Sequence, residues 1–389
     1  MGRHSAAAVV WICLVVLSGK AQEASADGLT DLLIEKGIIT QEELKKQQAT
    51  RWLKVEGRIQ FRYTWHENDD PKDNTSEFTL PRVRLGVSGA AFENVQFKLE
   101  ADFAPDPATD ASGNVKGGSK VSLTDAKLSF THFEHAPLTV GHFKVPFSRQ
   151  QLTSTANMQF INRAAVIGGA QRDIGIMVGD YMGKGLFEYA VGAFNGTNTA
   201  NLNDNTGFLV TGRVAVNPWG EFSYSEPNLT GERMNVSIGF NVQSNKTSTA
   251  GTDGDLLTDD DVDTDIIKYG VDLGIKFLKR ASFFAEYITA RFDREGAEEY
   301  DANGWYVQGG YFLLPKRLES TARYEEYDPD DLVDDTKDIR WTTVGLNYFF
   351  QKYDWKVLAD YIFKDEEHDP STGKGKDDDT LLIQLEVRF

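Results

Sequence analysis

A single cysteine, Cys13, occurs among 389 residues. The chain therefore has no disulfide framework and no cysteine metal site, and it must hold together by backbone pairing and packing. It also lacks a basic excess. With 41 Lys and Arg against 59 Asp and Glu the formal net charge is −18, which excludes a general nucleic-acid binder, since such a protein presents a basic face to phosphates. Long apolar runs are missing too. Beyond the first 20 positions no 18-residue apolar stretch exists, and the mean hydropathy is −0.40, which excludes a helical membrane protein. Catalytic signatures are equally scarce. His66, His132, His135, His142 and His368 include no H-E-x-x-H spacing, and no serine is marked by a positioned base. Gly117-Gly118 and Gly168-Gly169 have no strand-to-helix context for a phosphate loop. The expectation is a protein that is not an enzyme and carries no metal or cofactor.

What is present begins with an export signal. Met1-Gly2-Arg3-His4 precedes an apolar run from Ala6 to Leu17 and then Ala24-Ser25-Ala26. A short basic start, an apolar centre and an A-x-A site predict a secretory signal peptide over residues 1–26, cleaved after Ala26. Cleavage would remove Arg3, Lys20, Glu23 and Cys13, leaving a mature charge of −19. Residues 27–51 read as a short periplasmic helical segment. Leu29, Leu32 and Leu33 share a face, Gly37 breaks it, and Thr40-Gln41-Glu42-Glu43 has the pattern of a capping box.

From Trp52 the hydrophobic period switches from 3.6 to 2. Val55, Gly57, Ile59, Phe61, Tyr63 and Trp65 alternate with Lys54, Glu56, Arg58, Gln60, Arg62, Thr64 and His66. Strict alternation with charge on one side means one face meets an apolar medium and the other meets water. After this segment and those around 83–88 and 95–103, further candidates centre on 126–133, 138–145, 174–181, 187–194, 208–216, 234–242, 266–277, 282–291, 305–313, 318–327, 340–350, 355–363 and 380–389, sixteen in all. Short links such as 92–94, 134–137, 182–185, 278–281, 315–317 and 351–354 alternate with long ones at 195–206, 244–265, 293–303, 328–339 and 364–379. Short turns on one side and long loops on the other predict an all-β fold over 52–389, a 16-stranded antiparallel transmembrane β-barrel preceded by the helical segment. Aromatics near strand ends and the terminal Phe389 fit interfacial girdles and an outer-membrane strand signal.

Four runs carry a family resemblance: PRVRLGVSGAAFENVQFKLEADFA (81–104), LTDAKLSFTHF (123–133), LTVGHFKVPFSRQQLTSTANMQFINRA (138–164) and RDIGIMVGDYMGKGLFEYAVGAFNGTN (172–198). They resemble the phosphate-selective porin O and P family. The resemblance implies a Gram-negative outer-membrane barrel, a homotrimer, and a third loop folded into the pore. Residues 147–169 occupy that loop's position. One departure is visible: Arg149-Gln150-Gln151 stands where the family commonly has an apolar residue and an acid.

If the apolar positions face lipid, the opposite face lines a lumen. It carries Lys54, Arg58, Arg62, Arg82, Arg84, Lys98, Lys127, Arg213, Lys268, Lys276, Arg323, Lys356 and Arg388 against Glu56, Glu100, Asp102, Asp125, Asp272, Glu325, Asp360 and Glu386. A basic wall in a narrow passage concentrates anions, and arginine offers a planar fork to phosphate or carboxylate oxygens. The expected function is a porin for passive diffusion of small solutes, favouring anions such as phosphate or other oxyanions. Residues 147–169 contain two charges, Arg149 and Arg163. The resemblance of the FINRA run makes Arg163 the first choice for the constriction and Arg149 the second. Alternatively, Arg163 pairs with Asp102 or Glu100 and only pins the loop. The negative charge gathers in long loops around 253–265, 328–338 and 365–379. The alternative function is therefore a barrel whose acidic loops serve adhesion or bind divalent ions, bridging to lipopolysaccharide phosphates.

Overall fold

The structure is a computed structural model and describes residues 51–67, 74–109, 115–119, 121–168, 171–198, 203, 205, 207–249, 262–332, 338–366 and 379–389. The expected signal peptide and helical segment lie outside these residues, Arg51 excepted. So does most of the Asp-rich sequence at 253–261, 333–337 and 367–378. The chain divides into two compact units, Met1–Trp52 with Ala90–Glu93, and Leu53–Gly89 with Asn94–Phe389. In the first, Arg51 lies over the Phe92 ring at 6.0 Å.

The second unit carries the barrel. Its strands are β1 (Trp52–His66), β2 (Thr75–Phe92), β3 (Val95–Asp102), β6 (Ser122–Phe130), β7 (Leu138–Lys144), β8 (Arg172–Met182), β9 (Phe187–Phe194), β10 (Leu209–Val216), β11 (Met234–Thr249), β12 (Val262–Phe277), β13 (Ala281–Arg294), β14 (Tyr300–Leu314), β15 (Leu318–Asp328), β16 (Ile339–Gln351), β17 (Trp355–Glu366) and β18 (Thr380–Arg388). Each pairs with its neighbour in sequence, and β1 pairs with β18 to close the ring of sixteen. Closure leaves no free edge, which a lipid-embedded sheet requires. At the seam Gly57 exchanges both backbone hydrogen bonds with Phe389, at 2.8 and 3.1 Å. The Phe389 ring occupies the space above Gly57, where a Cβ would lie 2.4 Å from it.

The period of two becomes inside and outside. On β10, Leu209, Thr211, Arg213 and Ala215 are buried while Val210, Val214 and Val216 are exposed. On β18, Leu382, Gln384 and Glu386 are buried while Ile383, Leu385 and Val387 are exposed. Leu209 and Leu382 apart, polar or small residues point in and large apolar ones point out on these strands, the reverse of a water-soluble fold. The short turns fall at 131–137, 183–186, 278–280, 315–317 and 352–354. The three-residue turns among these use left-handed residues, Leu278 and Lys279 at φ 53° and 61° for instance, because that twist matches the flanking strands.

Three features differ from the expectation. Strands β11 and β12 run past the expected 244–265 loop, pairing Asn245 with Ile266 and Thr249 with Val262. Beyond an apolar band the ladder needs no hydrophobic face, and Lys246 and Ser248 hold Asp263 across the strands. Residues 105–119 contain a separate hairpin, β4 (Pro105–Thr109) with β5 (Val115–Ser119). The third feature is the 217–233 connection between β10 and β11. It lies at the short-turn end yet folds inward, burying Phe222, Glu226, Asn228 and Leu229.

Candidate functional site: the passage beside the inward loop

After β7 the chain enters the barrel at Val145 and leaves at Gln171, the two joined by a 3.1 Å backbone hydrogen bond. Its first turn is a short helix, α1 (Arg149–Leu152), capped by Ser148, whose Oγ accepts from the Gln151 N–H and donates to Glu286 at 2.6 Å. The loop has no carboxylate of its own, so its amides are satisfied by the wall. Glu286 accepts from Gln150 N at 2.6 Å, Glu226 from Gln159 N at 2.7 Å, and Asp360 from Ile161 N at 2.7 Å. In return Lys356 donates to Ala156 O at 2.7 Å and Arg323 to Asn162 O at 3.0 Å. An inward loop must pair its backbone groups in this way or leave them stranded. The apolar side chains complete the seat: Ala164, Phe222, Phe284 and Tyr306 form one cluster, Ile161, Leu358, Ile362 and Leu382 another. The loop therefore fills the half of the lumen along β12 to β18.

The other half stays open. A chamber of about 1060 Å³ opens at the short-turn end and one of about 470 Å³ lies above it. They share Arg84, Lys144, Ser154 and Arg172 in their walls, which marks the neck. Among the described residues the upper chamber is lined by five cations, Arg82, Arg84, Lys144, Arg163 and Arg172, and by no carboxylate. The lower chamber does contain acids, Glu56, Glu100, Asp125, Asp180, Glu188 and Asp354, and those nearest the neck are engaged, as is Asp102 just outside its lining. Asp125 is held by Lys98 at 2.7 Å and Arg172 at 3.1 Å, and Glu100 by Arg84 and Lys98 at 3.3 Å each. Asp102 lies 2.7 Å from Arg84.

Several cations have no ion pair among the described residues. Arg82 donates to Gln60 Oε1 at 2.9 Å, Arg58 to Thr155 Oγ1 at 3.2 Å, and Arg62 to Gln384 Oε1 at 2.9 Å. Lys127 lies over the Phe143 ring at 5.9 Å. Lys144 donates only to Leu152 O at 2.7 Å and Thr153 O at 3.1 Å. Neutral partners leave these side chains without a neutralising carboxylate.

The sequence-derived residues thus divide into two groups. Arg58, Arg82, Arg84, Lys98, Lys127 and Arg163 line the chambers, with Arg62 beside them. Arg163 donates to Gln150 O at 3.2 Å and Thr153 O at 2.8 Å, so it does not pair with Asp102 or Glu100, which Arg84 holds. Burial pushes its guanidinium down to about 10, still protonated at neutral pH. Arg149 and Arg213 sit elsewhere, sealed between loop and wall. Arg149 is 2.8 Å from Asp272 and lies over the Phe222 and Tyr224 rings at 4.9 and 5.3 Å. Arg213 is fully buried on the same Asp272 and on Glu188 at 3.3 Å. Arg149 ties the loop to the barrel through Asp272, and Arg213 braces the same carboxylate from the wall. Lys144 and Arg172, at the neck, escaped the sequence reading. Lys144 sits just before the Val145-Pro146 entry, and Arg172 opens its strand, so neither lies within a clear alternation.

The chain is similar to known proteins along nearly its whole length. An uncharacterized protein of Aquifex aeolicus is 26% identical over 416 aligned positions, covering 95% of both chains. The outer-membrane channel DcaP of Acinetobacter baumannii superposes with a TM-score of 0.59 at 17% identity, covering 88% of this chain and 98% of that one. The anion-selective porin from Comamonas acidovorans gives 0.56 at 15% identity, covering 87% and 99%. These likenesses in structure show a porin fold. A family match runs from residue 53 to residue 389, and with it the closed barrel, the inward loop and the open half-lumen converge: the chain belongs to the phosphate-selective porin O and P family of outer-membrane porins.

Proposed function

We propose that this porin favours small anions, phosphate or other oxyanions among them, during passive diffusion across the outer membrane. The observation that carries the reading is the upper chamber, with five cations and no acid among its described lining residues. Arg84 and Arg172 are paired with Glu100, Asp102 and Asp125, whereas Arg82, Lys144 and Arg163 have no carboxylate partner among the described residues, and it is these that favour an entering anion over a cation. Arg82, Arg84, Arg163, Lys144 and Arg172 are the constriction set, with Arg58, Arg62, Lys98 and Lys127 forming the approach. Residues 1–26 serve as a cleaved export signal, and the family resemblance makes the assembly a homotrimer.

Purified protein in planar bilayers under a salt gradient tests this. Stepwise conductance with a reversal potential displaced toward the anion's Nernst potential supports the reading, and current blocked by millimolar phosphate would point to oxyanions. A reversal potential on the cation side would refute the anion preference. Complete absence of steps would favour a barrel acting through its surface loops instead.

A further inference from the structure

A third cavity, of about 380 Å³, lies open between the inward loop and the β12–β13 wall and shares no lining residue with the two chambers of the passage. Its described lining is Phe147, Val166, Ile167 and Ile288, the amide side chains Gln151, Gln171 and Asn198, and one charged group, Lys268. We propose that it is a second binding site, taking a small organic anion that has an apolar body and one carboxylate. The inference rests on the barrel and the seated loop and is independent of the selectivity of the passage.

Lys268 has no ion pair and no hydrogen bond among the described residues, although it faces inward on β12 between Gln243 and Ala290. Of the three lining amides, Gln151 is engaged within the loop: its side chain donates to Phe147 O at 2.9 Å and accepts from Gln171 N at 2.7 Å. The apolar surface is held in place by close fits to the wall. Phe147 and Ile288 both lie against Gly270, the next inward position after Lys268, where a Cβ would meet them at 3.4 and 3.5 Å. Val166 fills the space above Gly304, 2.6 Å from where a Cβ would stand. The volume falls within the range of small-molecule sites, and apolar walls interrupted by a few placed polar groups are what such sites present. A bare oxyanion would lose hydration against Phe147 and Ile288 for a single ammonium, whereas the passage offers it several cations. An arylalkanoate satisfies both parts of the cavity.

The test is calorimetric titration of the full chain in detergent with 3-phenylpropionate, using 3-phenylpropan-1-ol and acetate as comparators and empty micelles as the blank. The expected result is saturable binding of one 3-phenylpropionate per chain, weakened roughly tenfold or more by Lys268→Met and restored by Lys268→Arg, since a charge-assisted hydrogen bond is lost and regained. The alcohol and acetate should each bind at least roughly tenfold more weakly, one lacking the charge and the other the body. Heat-modifiable mobility on gels reports whether each variant is folded. If Lys268→Met does not fold, Ile288→Phe, which fills the cavity, should abolish binding instead. No saturable binding, or an affinity unmoved by these substitutions, overturns the proposal. Binding lost with Arg82→Gln and kept with Lys268→Met also overturns it, because the ligand then sits in the passage.

Discussion

Arg163 offers the cleanest separation between a charge that acts on the passage and a latch that holds the loop, because its partners are carbonyl oxygens of its own loop. Replacing it with Glu changes the upper chamber by two unit charges. In a water-filled passage, unit charges about 6 Å apart interact by about 0.7 kcal/mol. Anion and cation feel that energy with opposite sign, so one charge contributes about 1.4 kcal/mol to their difference, roughly tenfold in permeability ratio. Arg163→Met should therefore lower anion preference roughly tenfold and Arg163→Glu roughly a hundredfold, with the largest effect at low salt, where screening is weakest. The latch contributes separately. Two hydrogen bonds from a charged donor to loop carbonyls stabilise the loop by about 3–6 kcal/mol. Arg163→Lys keeps the charge and loses the fork, so it should keep selectivity while lowering the thermal transition. Reversal potentials in planar bilayers and heat-modifiability on gels report the two quantities independently. If Met and Glu variants leave the reversal potential unchanged while thermal stability falls, Arg163 is a latch only, and the selectivity argument for this loop is refuted.

Asp272→Asn should destabilise the barrel by about 3–5 kcal/mol, since it strips the shared counter-charge from Arg149 and Arg213, both sealed from water; the double variant with Arg149→Met should lose less than the sum in gel-monitored melting, and strict additivity would contradict the shared tie. Gly185 combines a φ of +87° with a Cβ position 2.4 Å from the Glu221 backbone nitrogen, whereas Gly183, at φ +60°, has only the Leu186 side chain within 4 Å. Gly185→Ala should therefore lower the melting midpoint clearly more than Gly183→Ala, which bears only the roughly 1–2 kcal/mol cost of left-handed backbone; equal midpoints would mean that the 217–233 connection does not rest on that turn.

The strands were legible because alternation is a local property, carried by each residue and its immediate neighbours. Ile59 and Phe61 out, Arg58 and Gln60 in, follows from the pleat once one face must meet lipid. Sixteen such segments, and the short turns between them, could be counted before any pairing was known. The barrel-lining cations on well-alternating strands, Arg58, Arg82, Arg84 and Lys98, were legible for the same reason. The 217–233 connection was not, because it carries no period and is held by contacts from elsewhere: its Glu226 accepts from Gln159 and Gln150 of the inward loop.

Which arginines stay free was decided only by the tertiary structure. Arg82 and Arg149 are the same residue type, and both read as pore charges along the chain. Arg149 meets Asp272, 123 positions away, and is buried with it. Arg82 meets a neutral glutamine across 22 positions and keeps its charge for the passage. The sequence by itself therefore determined the sheet, the facing of its side chains and the sign of the wall, since these depend on spacing and residue type. The neck, the ties and the separate cavity required the folded chain, because a charge is neutralised by whichever group the barrel's closure and the inward loop bring within about 4 Å, and that distance is not encoded in any local pattern.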